Sequence, residues 1–241
     1  VDGYGLRLCS WDAGSVADVE AWSEGRNDPE LRRWNTLLTM DDYSLDGARA
    51  SLRKRAESDA AGTTVTFRVV DAESGATLGQ VGFSGIDTFA RRATVGYWVL
   101  PAARGRRVAT RSLGLAARWA FTEFGLHRIE LDHALGHDAS CRVAELCGFP
   151  CEGVLRGAVF AEGRHDAFRD AHLHARLATD PEPTGLLEPT GPVEPTGPVE
   201  PTGLLEPTGP VEPTGPVEPT GPVEPTGPVE PTGLVEPTGL V

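Results

Sequence analysis

Lysine is almost missing from this chain of 241 residues, and Lys54 is its only example. Arginine supplies nearly all the positive charge. Together they number 22 against 35 acidic residues, for a net charge of −13. The deficit is local. Residues Glu182 to Val241 hold 10 glutamates and no basic or aromatic residue, whereas the residues before them hold 25 acidic against 22 basic, a net charge of −3. Neither part has the concentrated positive field of a nucleic-acid binder, so no nucleic-acid partner is expected. No apolar run approaches the ~20 residues that span a bilayer, and no charged-then-apolar leader opens the chain, so no membrane partner and a cytoplasmic location are expected. Cysteine is scarce: Cys9, Cys141, Cys147 and Cys151. The last three cluster, but no second pair has zinc-like spacing, and Cys141 and Cys147 fall inside a helical pattern. They read as thiols of a reducing cytosol, and no metal is expected.

From Glu182 onward a hexapeptide, EPTGPV or EPTGLL/EPTGLV, is repeated ten times. Its aliphatic residues are too sparse for a core, and its prolines favour extended conformations. Glycine recurs every six residues rather than every three, which excludes a collagen triple helix. The division drawn is a domain at residues 1–180 and a disordered repeat tail at 181–241. The tail reads as a spacer, as a ligand for a Pro-x-x-Pro-binding domain (Pro189 to Pro192), or as a product of tandem expansion. Its partner is unknown.

The first part reads as α+β. A strand is expected at Tyr4 to Cys9, a helix at Val16 to Glu24 after the cap Ser15, a second from Glu30 to Leu37 opened by Asp28-Pro29, and a third at Ser44 to Ser58. Strands follow at Val65 to Val70, Thr77 to Phe83 and Thr94 to Val99. After a helix come a strand at His127 to His133, a helix opened by Asp138 or Ser140 and ended by Gly148, and a hairpin of Val154 to Phe160 with Phe168 to Arg176 around Glu162-Gly163-Arg164.

One stretch organises the rest, Val95 to Phe124. An apolar run is stopped by Pro101, a basic turn Arg104-Gly105-Arg106-Arg107 follows, and Ala109, Leu113, Ala116, Ala120 and Phe124 then form a helical stripe. Strand, basic turn and helix make an anion site, because the first N–H groups of a helix have no internal partner and arginine is a forked donor for phosphate. An ordinary connection with a solvated basic turn fits the same residues.

Arg104, Val108 and Ala109 occupy the places of a Gln/Arg-x-x-Gly-x-Gly/Ala motif, and the chain resembles the GNAT acyltransferase superfamily in that motif. Arg107 stands where the family has glycine. The segment His137 to Phe149 resembles the Asn-x-x-Ser…Gly-Phe segment of the Rim-type (ribosomal-protein-alanine) N-acetyltransferases. Ser140, Gly148 and Phe149 match, and His137 replaces the asparagine. The resemblance extends over roughly the first 180 residues. It implies a mixed, mostly antiparallel sheet of about seven strands flanked by about four helices, splayed beside the motif strand. It also implies transfer of an acetyl group from acetyl-CoA, as cosubstrate, to a primary amine by direct attack on the thioester.

On that resemblance the pyrophosphate is held by Arg104, Gly105, Arg106, Arg107, Val108, Ala109 and Thr110. The backbone of Tyr97, Trp98, Val99 and Leu100 pairs with the pantetheine arm, and His137 and Ser140 complete the cofactor site. Ser140 is placed near the leaving sulfur, and it also reads as a helix N-cap. Asp132 is the candidate base, through a water; Glu130 lies on the same strand face and His133 on the other. Trp34, Asp41, Asp42 and Tyr43 are candidates for the amine groove. The acceptor is a protein N-terminus or a small-molecule amine. A homodimer is compatible with this reading, as is a non-catalytic module that keeps the scaffold.

Overall fold

A computed structural model describes residues 1–34, 44–161 and 166–184. Its elements run β1 (Asp2–Gly3), β2 (Leu6–Ser10), α1 (Val16–Asn27), α2 (Pro29–Trp34), α3 (Leu45–Ala60), β3 (Thr64–Asp71), β4 (Thr77–Asp87), β5 (Arg92–Val99), α4 (Val108–Thr122), β6 (Arg128–Ala134), α5 (Asp138–Leu146), β7 (Cys151–Phe160) and β8 (Phe168–Leu177). Local chemistry sets most of the boundaries. The Ser15 and Ser44 hydroxyls accept the backbone N–H groups of Asp18 and Gly47, capping α1 and α3. Asp28 is held extended before Pro29, which separates α1 from α2. Its carboxylate then caps α2 by accepting the Leu31 N–H at 3.0 Å. Gly148, at φ 77, turns the chain out of α5.

The strands form one sheet in the order β1-β2-β3-β4-β5-β6-β8-β7. Every neighbouring pair is antiparallel except β5 and β6, because the connection between those two is the helix α4. One face carries the main core, where Leu6, Leu8, Val81, Phe83, Val95, Ile129 and Leu131 pack with Leu113, Ala116 and Ala120 of α4 and Ala144 of α5. A second, smaller core joins α1 and α3 to Trp98 and Leu100.

The expected α+β class and mostly antiparallel sheet hold. Eight strands and five α-helices are described, against about seven and four expected. The extra strand is β1, two residues folded back on β2 through Tyr4 at φ 53 and Gly5 at φ 70, too short to carry a periodic signal. The wholly buried Arg176 reaches past the domain boundary drawn from sequence, lying 3.3 Å from the Glu182 carboxylate. The turn at 162–164, the end of the expected second helix at 35–37 and the tail from 185 lie outside the described residues. Among the described residues no helix is long and apolar enough to cross a membrane.

Candidate active site

β5 and β6 are paired only at Arg92↔Arg128, Ala93↔Ile129 and Thr94↔Glu130. Beyond Thr94 their registry ends, while β5 stays paired to β4 as far as Val99. Strand alternation then determines which backbone groups of β5 are spare. The Arg91 carbonyl accepts N–H groups from His127 and Arg128 on the β6 side, and the Leu100 N–H donates to Leu78 on the β4 side at 2.9 Å. Odd-numbered residues therefore turn their polar backbone toward β6. Past Thr94 this leaves Val95, Tyr97 and Val99 with an edge open to a ligand strand. Of the four residues expected there, Tyr97 and Val99 present that edge, whereas the backbone of Trp98 and Leu100 is turned to β4.

At this opening the Tyr97 hydroxyl meets Ser140 Oγ at 2.8 Å. Ser140 is the third residue of α5 and is buried. The cap position belongs to His137, whose carbonyl accepts the N–H groups of Ser140 and Cys141, so the N-cap expectation for Ser140 is corrected. Burial pushes the Tyr97 phenol well above the usual tyrosine range, and it stays protonated at neutral pH.

Next to the opening, Arg104 to Arg107 lead into α4, whose first N–H groups receive no side-chain cap. The three arginines differ. Arg104 is ion-paired with the nearly buried Asp28, the residue that caps α2. Arg106 lies 3.4 Å from Asp71, and its carbonyl accepts from Arg111. Arg107 is exposed and has no ion-pair partner among the described residues. It also adopts φ 52, ψ 26, the left-handed conformation that glycine takes without penalty. The sequence departure at this point is therefore a backbone substitution as much as a charge. Val108 and Thr110 are buried and offer the site backbone only, and Ala109 is half-buried. Arg107→Gly is expected to stabilise the protein by about 1 kcal/mol through relief of this conformation, and to tighten acetyl-CoA binding. Thermal unfolding and calorimetry measure the two effects, and weaker cofactor binding would make Arg107 a phosphate ligand rather than an obstacle to the phosphates. Asp28→Ala is expected to lower stability by about 1 kcal/mol through loss of the α2 cap, and to release Arg104. Urea titration reads it out, and an unchanged midpoint contradicts it.

Asp132 and Glu130 stand on the opposite sheet face from Ile129, Leu131 and His133, the face that carries Trp98. Asp132 keeps solvent contact, yet the protein packed around it raises its carboxyl above the usual carboxylate range. Glu130 is bound by the Arg128 guanidinium at 2.8 Å. The Trp98 ring is core, packed on Trp22 and Trp11 at 5.9 and 6.1 Å between centroids. Trp34 stacks on His137 at 4.4 Å with the rings 2° from parallel, and burial lowers the His137 pKa to about 4. The imidazole that replaces asparagine is thus neutral and held by an aromatic partner. Asp41, Asp42 and Tyr43 lie outside the described residues. Asp28 is legible in the sequence as the residue before a helix-opening proline but not as the partner of Arg104, and nothing in the sequence pairs the Tyr97 hydroxyl with Ser140.

A splayed parallel strand pair followed by a bare helix N-terminus is the arrangement of a GNAT acetyltransferase. Residues 11–150 match the Acetyltransferase (GNAT) domain, and the chain belongs to that family of N-acetyltransferases. Among curated proteins it is 30% identical over 91 residues to the "Putative ribosomal N-acetyltransferase YdaF" of Bacillus subtilis (strain 168), covering 38% of this chain and half of that protein's length. It is 27% identical over 160 residues to the "Probable N-acetyltransferase YjcK" of the same organism, covering 66% of this chain and 87% of that protein. Among solved structures, Mycobacterium smegmatis RimJ in complex with CoA-disulfide is 26% identical, with a TM-score of 0.65 over 72% of this chain and 82% of that one.

Proposed function

We propose that this chain acetylates primary amines from acetyl-CoA by direct attack of the amine on the thioester, with a protein N-terminal amine as the favoured acceptor. The observation that carries the reading is the opening between β5 and β6, with the Tyr97–Ser140 hydroxyl pair at its edge. A spare strand edge is what amide groups of an extended arm pair with. The residues that fit the cofactor are the backbone of Tyr97 and Val99 along the arm, and the α4 N-terminus with Gly105 and Arg106 at the phosphates, whose approach Arg107 crowds. Bound there, acetyl-CoA supplies the activated acetyl group.

The chain's own residues divide the proton work. Tyr97, kept protonated by burial, donates to Ser140, and Ser140 is then free to donate to the leaving sulfur. Asp132 stands on the opposite face and accepts the amine proton through a water. Its raised pKa makes it a stronger base than an ordinary aspartate. An α-amine, at about 8, needs less help than a lysine at about 10.4. The ribosomal N-acetyltransferase name of YdaF supports a protein acceptor.

The test is turnover on three acceptors: a peptide with a free N-terminus, the same peptide blocked there but carrying lysine, and a polyamine. Acetylation of the first alone is expected. Acetylation of the polyamine alone would replace this acceptor with a small-molecule amine. Saturable cofactor binding without turnover would make the chain a binding module.

A further inference from the structure

Four side chains that the acetyl-transfer reading does not use meet beneath α5. His133 comes from β6, His172 and His174 from β8, and Cys141 from α5, and their ligand atoms all lie within 4.8 Å of one another. The fold assembles them through register. In the β6–β8 ladder His133 lies opposite His172, and Leu131 lies opposite His174, so the three imidazoles share one sheet face. That face is covered by α5, from which Cys141 Sγ reaches to 3.6 Å from His174 Nε2 and 4.0 Å from His172 Nδ1.

The hydrogen bonds of two rings leave a problem that a cation solves. His133 Nδ1 lies 3.1 Å from the Ala134 carbonyl, and His174 Nδ1 lies 3.0 Å from the Phe149 carbonyl. A carbonyl only accepts, so each Nδ1 carries its proton, and in each neutral ring Nε2 is a bare lone pair. These two Nε2 atoms face each other at 3.2 Å in a buried site. Two lone pairs at that distance repel unless something positive lies between them. A proton there would make one ring a buried imidazolium, and neither ring has a carboxylate among its described hydrogen-bond partners. A metal ion satisfies both rings at once. The carbonyl-bound Nδ1–H is also the outer-shell device that orients metal-binding histidines. The 3.2 Å between the two Nε2 atoms and the 3.6 Å from Sγ to His174 Nε2 suit a tetrahedral zinc ion, and the partly exposed His172 ring closes the remaining, wider spacing on binding. Bond lengths of ~2.0–2.1 Å to nitrogen and ~2.3 Å to sulfur separate two nitrogens by roughly 3.3 Å and a nitrogen from a sulfur by roughly 3.6 Å.

We propose that Cys141 Sγ, His133 Nε2, His172 Nδ1 and His174 Nε2 bind a zinc ion. Binding releases the thiol proton of Cys141 to solvent, the three imidazoles bind as neutral rings through the named nitrogens, and no group changes oxidation state. Four protein ligands close the coordination shell, so the ion is structural. It joins β6, β8 and α5 at the residue next to Ser140, and so anchors the start of the helix that carries the hydroxyl pair. This proposal runs against the expectation of no metal. That expectation rested on the spacing of cysteines, whereas here one cysteine is completed by histidines from two strands.

The experiment is zinc analysis of the purified full chain by mass spectrometry, followed by Co²⁺ titration of chelator-treated protein. Stoichiometric zinc is expected. Cobalt should give intense tetrahedral bands in the visible and a thiolate-to-cobalt band in the near ultraviolet. Cys141→Ser should abolish the near-ultraviolet band. His172→Gln, at the half-exposed ligand, should weaken cobalt binding by at least about tenfold, the lower end of what loss of even an outer partner does. Circular dichroism establishes that the variants fold. Metal-free protein that takes up no micromolar cobalt, a near-ultraviolet band that survives Cys141→Ser, or copper in place of zinc would each overturn the proposal. None of these readouts depends on acetyl transfer.

Discussion

Ser140→Ala is expected to lower kcat for acetyl transfer by about 100-fold, or about 2.7 kcal/mol of transition-state stabilisation, while acetyl-CoA affinity falls by less than about tenfold. The split follows from the placement of the hydroxyl. Ser140 is buried at the opening between β5 and β6 and bonded to Tyr97, and in the proposed mechanism the charge it answers develops only as the carbon–sulfur bond breaks. A group that acts on developing charge changes kcat more than binding. The same change leaves the buried Tyr97 hydroxyl without its partner, which costs about 1–3 kcal/mol of stability. Tyr97→Phe in the Ser140→Ala background removes the orphaned group, and is expected to recover much of that stability without recovering the rate. Steady-state kinetics on purified variants, with urea unfolding alongside, separates the two effects. A kcat within a factor of two of the parent for Ser140→Ala would remove Ser140 from the chemistry.

Trp98→Ala is expected to lower stability by about 3–5 kcal/mol, the range for deleting a large buried aromatic side chain. For a domain of this size that corresponds to a fall in Tm of roughly 6–20 °C. Trp98 is the residue of β5 that fastens the site strand to the α1–α3 layer. Its ring meets Trp22 edge-on and Trp11 at a tilt, and it lies so close to Gly25 that a Cβ there would sit 2.3 Å from it. Gly25 is thus small because Trp98 is large. Tyr97, the neighbour of Trp98, takes its position from the same strand, so kcat/KM should fall further than the unfolded fraction accounts for. Urea titration with the slope checked for constancy gives the stability change, and a loss below about 1 kcal/mol would refute the anchoring role.

The residues that specify local structure were legible before any coordinates. Ser15 caps the helix expected of it, Ser44 marks the start of the third helix as its cap, Pro29 opens α2, Gly148 ends α5, and the apolar stripe through Leu113, Ala116 and Ala120 is the face of α4 that enters the core. Each of these signals lies within a few residues of the structure it creates, so a linear reading is sufficient. Family membership was legible for the same reason, because the basic turn and the Ser140 to Phe149 segment are contiguous. Three things were decided only in three dimensions. The parity of β5, which turns Tyr97 and Val99 toward the opening and Trp98 and Leu100 away from it, depends on which strand pairs on which side. The state of the arginines depends on Asp28 and Asp71, which lie 76 and 35 residues from their partners. The meeting of Cys141 with His133, His172 and His174 depends on the register of β6 against β8, across about 40 residues of intervening chain. By itself the sequence determined the elements, the core faces and the family. Tertiary structure decided which polar groups are consumed by partners and which are left to act, because burial and hydrogen bonding between distant segments leave no periodic trace along the chain.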